Sequence, residues 1–276
     1  MSNHSEIQRV MFEAGEAACV VLRRHFGKIA SVQTKSGETD IVTIADQQAE
    51  AAILRRIRRA FPGHAILAEE SGGEARIGEA EFCWVIDPLD GTTNFAHGMP
   101  LFAVSIGVLR EGKPWMGLIV DVTRDEWHSA RRGAGAFVGR RRADGTWTRR
   151  RLHVTTKRRL AESLLITGFP HDRRRNLRHL MDILEVTLAR TRGVLRIGSA
   201  ALDLVSVAAG QVEGFWEEHL APWDVAAGLL LVEEAGGRVT NLAGKRSGVF
   251  DDSFVASNGA IHREMLATLR EAWREW

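Results

Sequence analysis

Phe82-Cys83-Trp84-Val85-Ile86 is an apolar run that breaks abruptly into Asp87-Pro88-Leu89-Asp90-Gly91-Thr92. So short and continuous a run reads as a buried strand. Two carboxylates three residues apart close it, with Pro88 stiffening the turn between them and Gly91 freeing the backbone where a helix begins. Carboxylates converging at a strand end are costly unless a cation offsets their repulsion. Hard oxygen ligands with no histidine or cysteine beside them favour magnesium over zinc. A helix opening at Gly91-Thr92 would aim free backbone N–H groups at an anion next to that metal. Metal and anion hole together describe a phosphate site. Taken alone, the segment would also suit a surface turn, because each residue type is common in turns. Glu69-Glu70-Ser71 argues against that, since it too closes a strand (Ala65–Ala68) and precedes a glycine-rich loop. Asp224, in Pro222-Trp223-Asp224-Val225-Ala226-Ala227-Gly228, adds a further carboxylate that by itself would read as a helix N-cap.

The rest of the chain supplies layers for such a strand. Ile7, Val10, Met11, Ala14, Ala18 and Leu22 share a helical face that Gly27 ends. Lys35–Asp40 is polar, contains Gly37, and reads as a mobile loop. A second helix starts near Thr43 with Asp46 three residues on, as in a capping box, and Pro62-Gly63 stops it. Phe102–Leu109 and Trp115–Val122 are joined by Arg110-Glu111-Gly112-Lys113 as a hairpin. Further on, strands near 164–168, 194–197, 211–216 and 254–257 alternate with helices near 177–189, 200–209, 225–235 and 263–276. Hairpins first and alternation later predict a mixed layered domain of the α+β or α/β kind. Val138–Trp147 marks a subdomain boundary. Residues 1–145 form an α+β part with an antiparallel sheet and most metal ligands, and 146–276 an α/β part with Asp224 and the substrate contacts, in one compact unit.

Composition removes several function classes. The 276 residues are 45% hydrophobic and 26% charged, as in ordinary soluble proteins. No apolar run is long enough to cross a bilayer as a helix, and Met1–Ile7 is no signal peptide. Two cysteines, Cys19 and Cys83, build no disulfide framework and fit a reducing cytoplasm. A net charge of +2 gives no general affinity for nucleic acid or membrane. Arginines do cluster in Arg140–Arg151, around an Asp144-Gly145 turn signal, either as a solvated hairpin or as an anion- or partner-binding loop. His64, His97, His171 and His219 lack metal-ligand spacing and read as surface or loop residues.

These residues resemble the inositol monophosphatase family of magnesium-dependent, lithium-sensitive sugar-phosphate phosphatases. The resemblance runs through Glu69-Glu70-Ser71, Asp87–Phe95 and Trp223–Gly228, and takes in Lys35-Ser36, Asp40–Thr43 with Asp46, and Gly198-Ser199-Ala200. It implies the sugar-phosphatase fold, a sandwich of alternating α-β-α-β-α layers. It also implies two or three magnesium ions: Glu69, Asp87 and the Leu89 carbonyl would hold one, and Asp87, Asp90 and Asp224 a second. A third, weaker ion would sit near Glu69. Thr92, paired with Asp46, would orient and deprotonate the attacking water, so Asp46 carries both a capping and a catalytic reading. Lys35 and Asp40 would lie on a mobile loop closing over the site.

The substrate alcohol would meet positions matching Asp90, Ser199, Ala200 and Glu217, with Gly91, Thr92 and Gly198 also lining the substrate site. Glu217 would hold ring hydroxyls, unless it is merely an exposed strand end beside Glu218. Thr93-Asn94-Phe95 looks like the inositol-phosphatase branch, giving myo-inositol monophosphate or a similar small polyol or sugar phosphate as substrate. Histidinol phosphate, fructose 1,6-bisphosphate and 3′-phosphoadenosine 5′-phosphate are the alternatives. From another class comes a non-catalytic interaction protein using the basic loop 140–151. The resemblance also implies a homodimer.

Overall fold

The computed structural model describes residues 3–28, 33–37, 40–73, 80–142, 144–170 and 173–272. Helix α1 (Asn3–His25) buries Ile7, Val10, Met11, Ala14, Ala18 and Leu22 and ends ahead of Gly27, whose φ of 73° suits a residue without Cβ. The polar stretch expected as a mobile loop is instead drawn into a ribbon: β1 (Gln33–Gly37) and β2 (Asp40–Val42) pair antiparallel. Residues 38–39 and the side chains of Lys35 and Asp40, the loop residues named above, lie outside the described residues. Helix α2 (Ile44–Ala60) starts at the expected box. The Thr43 hydroxyl accepts from the Ala45 N–H, and the Asp46 carboxylate accepts from the Thr43 N–H at 2.9 Å.

A seven-stranded sheet follows: β3 (Ala65–Ala68), β4 (Phe82–Asp90), β5 (Ala103–Arg110), β6 (Lys113–Asp121), β7 (Glu126–Arg131), β8 (Gly135–Gly139) and β9 (Arg150–Arg151). The strands lie in chain order; β3 pairs parallel with β4 and all others are antiparallel. After β4 comes a short helix, α3 (Thr92–Ala96). The second sheet has the order β11-β10-β12-β14-β13, from β10 (Leu164–Thr167), β11 (Gly193–Leu195), β12 (Gly214–Glu218), β13 (Arg238–Thr240) and β14 (Ser253–Ser257). Between and after these strands run α4 (Leu177–Arg190), α5 (Ala200–Ala208), α6 (Pro222–Glu234) and α7 (His262–Ala272).

Period-two alternation sorts the strands into layers. Trp84, Ile86, Val104 and Ile106 pack under α1 and α2, whereas Cys83, Val85 and Ala103 face α5 and α6. In the second sheet Ile166, Phe215, Phe254 and Ala256 face the same two helices, and Leu165, Trp216 and Val255 face α4 and α7. The order is therefore α-β-α-β-α, the layered sandwich expected. Sandwiched between two sheets, α6 buries every residue from Val225 to Val232, so its sequence is apolar all round. Its stripe of small residues permits close contact: a Cβ on Gly107 or Gly117 would fall within 3 Å of Ala226 or Ala227. That approach sets the N-terminus of α6, and Asp224 with it, against the end of β4.

His64 departs from the surface reading. It stacks on Phe61 and Phe82, with centroids 4.5 and 5.1 Å away, and accepts from the Trp84 indole at 3.1 Å. His97 and His219 are exposed, and His171 lies outside the described residues. Among the described residues no helix is long and apolar enough to cross a membrane.

Candidate active site

Strand β4 delivers its two carboxylates through a break in the ladder. The register with β5 shifts between Asp87 and Asp90, where Pro88 cannot donate a ladder bond and the Leu89 N–H turns back to Asp87 Oδ1 at 2.9 Å. Gly91 then takes φ 93°, and a Cβ there would lie 2.9 Å from the Leu101 carbonyl. Both conditions admit only glycine. With the turn so fixed, one oxygen each of Asp87, Asp90 and Asp224 falls within 4.8 Å of the others. Glu69, at the end of the neighbouring strand β3, lines the same pocket.

The electrostatics of this set are those of a site built around a cation. Burial first, then the charges of Glu69, Asp90 and Asp224, and a hydrogen bond with Glu69 push the Asp87 carboxyl well above the ordinary range. Asp224 is raised by burial and by Asp90 and Glu69, against the pull of the Ala221 N–H. Asp90 is pushed up to about 6 by burial, with Ser199 and Ala201 pulling it down. So much negative charge out of water is unfavourable without a positive partner. An all-oxygen set of buried carboxylates fits a hard divalent ion; Asp87, Asp90, Asp224 and Glu69 could hold it.

Asp224 is not the N-cap its sequence suggested. It is the third residue of α6, reaching back to accept from the Ala221 N–H at 2.7 Å while still reaching the cluster. Asp46 likewise does two things at once. Its Oδ2 accepts from the Thr43 N–H and hydroxyl at 2.9 and 2.6 Å, and its Oδ1 lies 2.9 Å from the Thr92 hydroxyl. That hydroxyl is also 3.0 Å from the Leu89 carbonyl, so a single proton has two acceptors. Burial pushes Asp46 up, and the Thr43 and Thr92 donors offset part of that.

The N-terminus of α5 is turned onto Asp90. Ser199, its N-cap, makes a short hydrogen bond to Asp90 Oδ2, which also accepts from the Ala201 N–H at 2.8 Å. Asn94 ties α3 to the segment before α5, donating to the Ile197 and Leu101 carbonyls at 2.7 and 2.8 Å. Glu217 is not an exposed strand end. It is 7% exposed at the end of β12, and its carboxylate is pressed so closely on Gly168 that a Cβ there would meet its oxygens at 2.1 and 2.2 Å. Burial pushes it up to about 8, with Arg196 opposing and Asp90 adding. Glu218 turns the other way, to His179 at 2.8 Å.

Asp203 was not anticipated from sequence. It sits in the otherwise apolar α5, is 1% exposed, lines the pocket, and has neither oxygen hydrogen-bonded. Burial, Glu217 and Asp90 push it well above the usual range, against Arg196. The signal was present: an aspartate within Ala200-Ala201-Leu202-Asp203-Leu204-Val205 has no reason of propensity or solubility to be there.

Layer order and converging carboxylates together define the sugar-phosphatase class of sandwich. A model of the inositol monophosphatase family matches residues 3–274. The inositol-1-monophosphatase of Synechocystis sp. is 42% identical over 257 residues, covering 93% of this chain and 86% of that protein. The Nus factor SuhB of Pseudomonas aeruginosa is 40% identical over 245 residues, covering 88% of this chain and 87% of that one. The solved structure of inositol monophosphatase from Anabaena (Nostoc) sp. superposes with a TM-score of 0.84 at 41% identity, covering 98% of this chain and 97% of that one. The chain belongs to the inositol monophosphatase family.

Proposed function

We propose that this protein is a magnesium-dependent phosphomonoesterase that hydrolyses myo-inositol monophosphate or a similar small polyol phosphate by direct attack of water. The observation that carries the reading is the meeting of three buried carboxylates, Asp87, Asp90 and Asp224, beside Glu69 and the Thr92–Asp46 pair. Magnesium bound by these carboxylates and the Leu89 carbonyl would neutralise the phosphoryl oxygens, acidify bound water and stabilise the leaving alkoxide. The protein's own part is positioning and proton transfer. Because Asp46 Oδ2 is already occupied by both Thr43 donors, Oδ1 is its receiving atom. Thr92 gives its hydroxyl proton to Oδ1 as its oxygen takes one from water, which aims the nucleophile as well as activating it. At the other end of the pocket, Gly198, Ser199, Ala200 and Glu217 surround the alcohol, and the buried Glu217 offers its oxygens to ring hydroxyls.

Phosphate release from inositol 1-phosphate, fructose 1,6-bisphosphate, histidinol phosphate and 3′-phosphoadenosine 5′-phosphate ranks the substrates. Inositol 1-phosphate turning over with the highest kcat/KM supports the reading. Preference for a substrate without a polyol ring would reassign the alcohol end. Lithium inhibition and a cytoplasmic location belong to the same reading. A homodimer does too, supported by an exposed apolar stripe of Leu177, Met181 and Leu188 on α4 beside Leu195 on the edge strand β11. Sedimentation equilibrium would measure it.

A second reading rests on the relatives named Nus factor SuhB and on the arginine hairpin, where Arg142 accepts through no side chain and Arg141 and Arg142 stay exposed. It makes the hairpin a partner-binding loop alongside catalysis. Charge reversal at Arg141 and Arg142 that left turnover intact while abolishing a pulled-down partner would favour it.

A further inference from the structure

Helix α2 carries two buried carboxylates four residues apart, hence on one face. Asp46, with no exposed surface, meets Thr92. Glu50, 3% exposed among Ala49 and Ile53, has no part in the activity proposed above. Its two oxygens each take one backbone N–H from the loop after β3: Oε2 accepts from Glu70 at 2.8 Å and Oε1 from Ser71 at 2.9 Å. Those are the two amides that directly follow Glu69.

The other side of Glu69 is tied as well. Its own N–H donates to the Ile86 carbonyl at 3.1 Å, the residue before Asp87. The chain then doubles back, with the Ala68 N–H donating to the Gly72 carbonyl at 2.9 Å and Gly72 at φ 69°. Glu69 is thus held between the strand that bears Asp87 and the helix that bears Asp46. Ser71 is exposed and Glu70 half-buried, so water could have satisfied these amides. Burying a carboxylate to do so is costly, and the return is a fixed peptide orientation at Glu69 through two charge-assisted bonds.

We infer that Glu50 is a positioning residue for the metal site: its two-point clamp on the Glu70 and Ser71 amides sets the placement of the Glu69 carboxylate, and indexes it to the same helical face that places Asp46. The inference rests on Glu69 being a metal ligand. Groups that orient ligands typically change metal affinity by about 10–100-fold when removed.

Glu234 provides a matched control. It accepts from the Gly133 and Gly135 N–H groups, both at 2.8 Å, in the same two-point manner on a turn that does not line the pocket. In Glu50→Gln and Glu234→Gln the amide oxygen can accept one N–H while the NH₂ faces the other donor, so both turns lose comparable support. Magnesium binding to EDTA-treated full-length protein is measured by calorimetry, beside melting temperature and the magnesium half-saturation of turnover. Both variants should melt a few degrees lower. Only Glu50→Gln should bind magnesium more weakly, by about tenfold or more, with half-saturation shifted by the same factor and kcat at saturating metal falling less. Wild-type affinity in Glu50→Gln, or an equal loss in Glu234→Gln, overturns the positioning role. Wild-type protein that bound no magnesium would instead overturn the metal-site reading. Glu50→Asp, which keeps the charge but withdraws it from the amides, supplies the same readout if the glutamine variant does not fold.

Discussion

Replacing Asp90 by asparagine should cripple catalysis and strengthen the metal-free fold in the same molecule. Asp90 Oδ2 receives Ser199 and the Ala201 N–H, and an asparagine oxygen can take both places, so the N-terminus of α5 keeps its anchor. The amide nitrogen then points into the cluster, where a ligand is exchanged for a donor. Turnover should fall by orders of magnitude, as loss of a metal ligand does. The stability effect has the opposite sign. Asp90 rises from 3.8 to about 6 in the fold because burial penalises its charge. Below pH about 4 it is neutral in both states; between about 4 and 6 only the unfolded chain ionises, and stability falls as pH rises. Above 6 the full penalty persists, about 3 kcal/mol at 1.36 kcal/mol per unit. Removing it should raise the melting temperature in EDTA at pH 7.5 by several degrees. That advantage should disappear below pH 4. Magnesium should stabilise the wild type far more than the variant, reversing their order. Differential scanning calorimetry in EDTA and in magnesium reads all of this. A variant that melts lower in EDTA, or retains near-full turnover, would refute the assignment of Asp90 as a ligand held against its own electrostatics.

Three further outcomes are expected. Thr92→Val removes the hydroxyl with little change of shape and should lower kcat by about 10²–10⁴-fold, the usual range for a lost acid–base group. Calorimetric magnesium affinity should stay close to wild type. Gly168→Ala puts a Cβ onto the Glu217 carboxylate, so KM for inositol 1-phosphate should rise while hydrolysis of p-nitrophenyl phosphate, which has no ring hydroxyls, changes little; equal effects on both would contradict a polyol role for Glu217. His262, buried between the Thr240 and Ser257 hydroxyls at 2.9 and 2.8 Å, is lowered to about 4 by burial and by Arg238. As pH falls from about 6.5 to 4 the unfolded chain binds a proton that the buried ring refuses, so this residue costs stability, at most about 3 kcal/mol. Urea titrations of wild type and His262→Gln across that window should show the acid-side loss in the wild type alone.

Much of this was legible in the residues because local physics is strong where the site is. The box at Thr43 and Asp46, the break after Ile86 and the alternation in the second half appear where the pattern put them. Strand β7 was not legible. Glu126-Trp127-His128-Ser129-Ala130-Arg131 places a buried histidine where alternation calls for an apolar residue, so neither period is clean. The β1–β2 ribbon was hidden by Lys35, Ser36 and Gly37, which have the composition of a loop. At the site, Asp203 and Glu50 escaped notice for a shared reason. Each is one acid on an apolar helical face, and its use appears only when a distant segment is folded onto it. Glu217 could be named from sequence, but its burial depends on Gly168, forty-nine residues away.

Protein stripped with EDTA and assayed for phosphate release from inositol 1-phosphate, as magnesium is added back, tests the central claim most directly. Turnover should be absent without metal, rise saturably with magnesium, and stay near background in Asp90→Asn. Metal-independent release, or none at any magnesium concentration from any of the four phosphate esters, would contradict it.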